Sequence, residues 1–266
     1  MISLQYDPYK DFATSTTPVG LYARQKWLGQ EQDEAWQDAF DRCVASLLEC
    51  QLNDGSWGGS FIQTVSRLFG LHLTARHPTK DIGKALDWLL KQTEHIDVCG
   101  GPALTGDNLN GLPFVPGDPH VLYTAMMLFM CTIFGRSDTP EIMTRYQKLS
   151  RYILQDSNGS DHGDTGNVLR AFAVHPLYAQ SSATMHMVES LSKIQDNSGI
   201  WADEVPFYLM VNALAHLNLP LADRQLEKAF SLLVQTQNED GTWGDIERER
   251  NTFLVVHAMK NKKMLV

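Results

Sequence analysis

Several things are scarce in this sequence, and each scarcity closes off a class of protein. Among 266 residues there are four cysteines, Cys43, Cys50, Cys99 and Cys131, with no CxxC pair among them, so no zinc ribbon or disulfide framework is written into the chain. Cys43 and Cys50 stand seven residues apart on an apparently amphipathic helix, about two turns from each other and too distant for an easy disulfide. Free thiols of this kind read as small core residues in a reducing compartment. No apolar run approaches the roughly 18 residues a membrane-spanning helix needs, and the N-terminal MISLQYDPYKDF lacks the basic-then-apolar order of a signal peptide. A cytoplasmic protein is the expectation. Positive charge is also short: 22 Lys and Arg against 31 Asp and Glu leave a net charge of −9, which disfavours nucleic acid and anionic membrane surfaces as partners. A Gly-rich phosphate loop is missing too.

What the chain has in abundance is a repeated corner. The stretch LVQTQNEDGTWGD carries Gln237, Gly241 and Trp243 in the order Gln-x-x-x-Gly-x-Trp; CQLNDGSWGG repeats it with Gln51, Gly55 and Trp57, and IQDNSGIWAD with Gln195, Gly199 and Trp201. A weaker copy, LQDSNGSDHGD, keeps Gln155 and Gly159 but has Asp161 in the tryptophan's place, and only the glutamine survives at Gln92. Each glutamine closes a segment of helical periodicity. In DRQLEKAFSLLVQ, Leu226, Phe230 and Leu233 form the apolar face, with Arg224, Glu227 and Lys228 on the wet side. After each cluster comes a second helical segment, more apolar around its whole circumference, which predicts an inner layer. The period is about 40 residues, that of a helical-hairpin array. One interval is longer because residues 95–119, HIDVCGGPALTGDNLNGLPFVPGDP, intervene between two helices; loops of this length without periodicity are commonly functional or mobile. The physical role expected of the cluster is structural: glycine turns the corner, and the indole covers it while its N–H takes a partner such as a glutamine of the adjoining helix.

These corners resemble the QW repeats of the squalene–hopene cyclase and oxidosqualene cyclase superfamily, shared more loosely with protein prenyltransferase β subunits. The resemblance spans residues 35–260. It implies an all-α fold, an α/α toroid of about five helical hairpins with inner and outer layers and a bore that takes an isoprenoid. On this reading residues 1–34 are an N-terminal arm and first helix, and residues 35–266 a single toroid domain carrying the 95–119 insertion.

In protonation-initiated cyclases of that superfamily an Asp-x-Asp-Asp-Thr motif opens an inner helix, and its central acid protonates an alkene or epoxide. Here the third unit reads SDHGDTGNVLRAFAV: Asp161, Asp164 and Thr165 match, and Gly163 stands where the proton donor would be. Asp164, with Asp161 as its modulator, is the candidate acid, since two close carboxylates raise each other's pKa. The alternative is that Asp164 caps its own helix. Asp118 with His120, Asp203 with Glu204, and Asp245 with Glu249 lie at the starts of other inner helices, as caps or as an acidic rim. Arg67 and Arg170 stand inside apolar helices, where a guanidinium could meet a diphosphate or pair with a rim carboxylate. Tyr123, Phe172 and Phe207 are aromatic candidates for stabilising a cation, or plain core. His95, Asp97 and Cys99 resemble prenyltransferase zinc ligands but follow an outer helix, so no metal and no cofactor are expected.

The favoured function is therefore cyclisation or isomerisation of an isoprenoid chain, an activity of the isomerase or lyase class. A non-catalytic toroid that binds a lipid or a protein, and a prenyltransferase-like subunit, are the alternatives. The partner implied is an isoprenoid or similar lipid, which leaves room for peripheral contact with a membrane.

Overall fold

The computed structural model describes residues 3–94, 109, 111–155, 162–202 and 205–265. Among them the regular structure is helical, apart from isolated bridges such as Gln51 with Trp57 and Gln195 with Trp201. The helices are α1 (Pro18–Lys26), α2 (Glu34–Leu48), α3 (Phe61–Leu73), α4 (Lys80–Gln92), α5 (Pro119–Ile133), α6 (Pro140–Gln155), α7 (His162–Ala173), α8 (Ser182–Ile194), α9 (Phe207–Ala215), α10 (Pro220–Gln235) and α11 (Arg248–Asn261). None is long and apolar enough to cross a membrane.

The periodicities of the sequence sort these helices into two layers. The even-numbered helices bury one stripe each: Ile142, Tyr146, Leu149 and Ile153 in α6 recur at three- and four-residue spacing, the pattern of an amphipathic helix. α3 buries most of its circumference but keeps Gln63 and Ser66 exposed, from α5 onward the odd-numbered helices are buried nearly all round, and in α5 every residue from His120 to Thr132 except Tyr123 is inside. Starts are set by short polar side chains that take up orphan N–H groups: Thr17 before α1, Ser60 before α3, Asp118 before α5 and Ser181 before α8, with proline at the first position of α1 and α5. This is the helical-hairpin construction of an α/α toroid, in the all-α class expected from the sequence.

The chain divides into two compact units, residues 1–88 with 233–266 and residues 89–232. In the first, α1 packs on α2, α3 and α11. In the second, α7 packs on α5, α8 and α9, and α6 on α5 and α8.

The three full corners are built alike. Gln51 Nε2 donates to the Gly55 and Asp81 carbonyls at 2.9 and 3.0 Å, Gln195 Nε2 to those of Gly199 and Gln225 at 3.0 Å, and Gln237 Nε2 to those of Gly241 and Tyr6 at 3.0 Å. Each glutamine therefore closes its own turn and ties it to a second segment. In the last corner that segment is the N-terminal stretch around Tyr6, whose N–H returns the bond to Gln237 Oε1 at 3.1 Å. The indole N–H groups take different acceptors: the Glu49 and Leu233 carbonyls for Trp57 and Trp243, and Gln225 Oε1 of α10 for Trp201. The adjoining-helix glutamine expected as indole partner is present only at Trp201; elsewhere a helix-end carbonyl, which otherwise has no intrahelical donor, serves. Gly241 is required twice over, by a φ of +91° and because a Cβ there would lie 2.0 Å from the Asp7 carbonyl oxygen; Gly55 and Gly199 repeat the pattern.

Candidate functional site

The residues matching the cyclase motif stand at the start of α7, in the second unit. Asp164 lies in the first turn of that helix and is 4% exposed. At spacings of three, Asp164, Asn167 and Arg170 form a polar stripe along α7, and the structure shows a partner for each. Asp164 Oδ1 accepts the Asp118 backbone N–H at 2.9 Å. Asn167 meets both sides of one peptide unit, its Oδ1 accepting the Val115 N–H and its Nδ2 donating to the Val115 carbonyl, each at 3.0 Å. Arg170 Nη1 donates to Asn212 Oδ1 of α9 at 2.6 Å, and its guanidinium lies 5.8 Å from the centre of the Phe129 ring.

Two of the three thus fasten the segment leading into α5. Asp118 accepts from the His120 and Val121 N–H groups as the cap of α5, so Asp164 holds in place the residue that caps a neighbouring helix. Gly117 makes this approach possible: a Cβ on it would sit 2.2 Å from Asp164 Oδ1. The same segment drives Leu112 and Phe114 into the core, with Phe114 edge-on to Phe129 at 5.5 Å. The tail of the sequence insertion is therefore packed structure. Residues 95–108 and 110 of it lie outside the described residues, and with them His95, Asp97 and Cys99.

Beside α7 runs a narrow cleft whose walls are Phe114, Val115, Leu209 and Met210 and whose polar residues are Asn167 and Arg170. Its volume is about 10 Å³, room for roughly one water molecule. Asp164 is not among its lining residues.

The other residues singled out from the sequence are dispersed. Asp161 and Asp203 lie outside the described residues, so the pairing of Asp161 with Asp164 is not seen. Arg67 donates to the Ser46 carbonyl of α2. Phe172 is fully buried against Tyr146 and Tyr178, at ring distances of 5.4 and 5.2 Å. Tyr123 is the one half-exposed residue of the α5 interior, and Phe207 is half-exposed beside the corner indole of Trp201 at 5.7 Å. Of the predicted set, only Arg170 lines the cleft among the described residues.

Sequence reasoning passed over Asn167 and Asn212, although an amide inside an apolar helical run is itself a signal, because a buried amide demands partners. It also placed His120 only among rim residues. His120 is 8% exposed, and neither ring nitrogen has a hydrogen-bond partner among the described residues. In the first unit the Tyr22, Trp27, Phe253 and His257 rings form a cluster with Arg76 above it. Of the cysteines, Cys131 is core, Cys43 is half-buried with its thiol pKa pushed up by desolvation, and Cys50 is exposed. Among the described residues no group of three or more His, Cys, Asp or Glu side chains is placed to hold a metal ion.

No protein-family model matches the sequence, and no curated protein does. Among solved structures, a protein from Actinoplanes is 16% identical, with a TM-score of 0.59 over 95% of this chain and 90% of that one. A possible member of the GH105 family from Salmonella enterica is 13% identical over 93% and 82%, with a TM-score of 0.47. The type II terpene cyclase MstE from Scytonema is 15% identical over 86% and 98%, with a TM-score of 0.35, and has also been solved in variant form with its product merosterolic acid A. The likeness to the Actinoplanes protein extends over nearly the whole of both chains and, at this identity, speaks for the fold alone.

Proposed function

We propose that the second unit binds an apolar, isoprenoid-like small molecule at the cleft beside α7, with Arg170 and Asn167 as the polar floor and Phe114, Leu209 and Met210 as walls. The mix of apolar walls and a few fixed polar groups supports this, being the usual make-up of a small-molecule site. Entry of a chain requires the 113–118 segment to lift, since the cleft at rest has room for about one water.

A single observation favours binding over protonation chemistry: the carboxylate offered by the sequence as proton donor accepts the Asp118 N–H and stays out of the cleft lining. A proton donor must come within about 3 Å of its target, directly or through one water. Terpene cyclase-like activity is the second reading. The burial of Asp164 at the start of α7 and the three Gln-Gly-Trp corners favour it. The two readings separate in one experiment, in which pure protein and its Asp164→Asn variant are incubated with a panel of prenyl diphosphates and polyprenes. Binding is followed by calorimetry and products by mass spectrometry. The binding reading expects retained affinity in the variant and no cyclised product from either protein. A product made by the wild type and lost in Asp164→Asn would establish the acid and reject the binding reading.

A further inference from the structure

We infer that the first unit carries an oxyanion-binding subsite at Arg76, which takes a carboxylate or phosphate group borne on an apolar body that rests on the Tyr22 and Trp27 rings. The inference starts from the backbone. Arg76 follows α3 with a φ of +61°, and the His77 N–H donates to the Ala75 carbonyl at 2.9 Å around it. It is thus the central residue of a γ-turn in the strained, positive-φ form, which side chains other than glycine rarely adopt.

The side chain held by this turn is equally costly as it stands. Its guanidinium lies 4.3 Å from the centre of the Tyr22 ring, and Nε and Nη2 are buried with no hydrogen-bond partner among the described residues. No ion pair of Arg76 occurs among the described residues either; the residue is half-exposed, so water meets part of its charge, but the two buried donors are left without an acceptor. Stacking on a tyrosine face returns part of the loss, but it leaves the in-plane N–H donors unused. Burial pushes the Arg76 pKa down and the Tyr22 hydroxyl up, with the cation beside it working against the latter. Strain and an unanswered charge thus meet in one residue, where glycine would remove both.

Ligand chemistry follows from the donors and from what surrounds them. Both nitrogens are closed to water at rest, so a ligand reaches them when the half-exposed side chain swings off the Tyr22 ring; Nε–H and one Nη2–H then present, side by side in the plane of the guanidinium, the fork that matches two oxygens of a carboxylate or phosphate. Below it, Tyr22 stands edge-on to Phe253 at 5.3 Å and to His257 at 5.9 Å, and Trp27 stacks on Phe253 at 5.4 Å. Tyr22, Trp27 and His257 are half-exposed, so this aromatic floor is open to an apolar body. The subsite belongs to the first unit throughout and does not depend on what the cleft of the second unit binds.

The test is calorimetry on the full chain with octyl phosphate, octanoate, octanol and inorganic phosphate, using wild type, Arg76→Met and Arg76→Gly. Octyl phosphate, octanoate or both should bind the wild type, with octanol and inorganic phosphate at least about tenfold weaker, the smallest loss expected when a charge-assisted bond is removed. Which of the two anions binds tighter assigns phosphate or carboxylate as the natural group. Both variants should lose that binding, while Arg76→Gly melts at or above the wild-type temperature because it releases the γ-turn. The subsite is rejected if neither amphiphilic anion binds, if octanol binds as well as they do, or if Arg76→Met binds them unchanged. A fall in melting temperature of both variants below wild type would likewise overturn it, by showing the guanidinium to be a structural group.

Discussion

Each unit sets an arginine against an aromatic ring, and the two arginines are treated in opposite ways. Arg170, 5% exposed in the middle of α7, is positioned by its helix and bonded to Asn212 Oδ1. Arg76 stands beyond the end of α3 on a strained turn, with buried donors that meet no acceptor among the described residues. A charge that the fold itself answers stabilises the fold, whereas one left unanswered is a cost retained for something else. The same contrast separates the polar stripe of α7, whose members each hold another part of the second unit, from the aromatic floor of the first unit.

The corners are the common frame against which that contrast is measured, and their loss should be the largest effect. Trp201→Ala and Trp243→Ala should each lower stability by about 3–5 kcal/mol, with Trp201→Ala the worse because it also orphans Gln225 Oε1; urea unfolding of both variants checks this. Negligible losses would mean that the corner indoles do not hold the fold, and equal losses that the Gln225 side chain adds nothing to the Trp201 corner. Next, Arg170→Met should cost about 1.5–3 kcal/mol by stripping Asn212 of a charge-assisted bond, while Arg76→Met should be neutral or stabilising in the same assay. A reversal of that order would dissolve the comparison. Gly117→Ala should cost about 1–3 kcal/mol, because its methyl group is driven into the Asp164 carboxylate; combining it with Asp164→Ala should recover much of the loss.

The smallest effect concerns acid. The carboxyls of Asp54, Asp196 and Asp240 are held below the ordinary aspartate range, Asp54 first by the Ser56 backbone N–H, Asp196 by the Ser198 hydroxyl and Asp240 by the Thr242 hydroxyl. A depressed acid binds its proton less readily when folded than when unfolded. The stability it contributes is therefore complete above the unfolded value of about 3.9 and is lost as pH falls through the lower folded value. Replacing all three by asparagine should lower the melting temperature slightly at neutral pH and flatten the acid side of its profile, so that variant and wild type converge as the pH falls. An unchanged acid limb would show that these turns carry no proton linkage.

Much of the scaffold was legible because it rests on local chemistry. A buried stripe at helical spacing, as in α6, and a glycine followed two residues later by a tryptophan, as at Gly241 and Trp243, state their requirements within one or two turns of chain. The site was less legible, because its geometry joins residues far apart in sequence. Asp164 matched a motif, yet its role was decided by Asp118, 46 positions away, and by the hydrogen on Gly117 in place of a methyl. Arg67 and Arg170 looked alike as lone cations in apolar helices, and only packing distinguished one that binds a helix carbonyl from one that lines a cleft.

The sequence by itself determined the helices, their pairing into buried and half-buried layers, and the repeated corners, since propensity, periodicity and turn chemistry act over a few residues. Tertiary structure alone decided which polar groups are answered. A buried donor or acceptor is satisfied or left wanting by whatever the fold brings within about 3 Å of it, and for Asp164, Arg170 and Arg76 that neighbour comes from another part of the chain or, among the described residues, does not come at all.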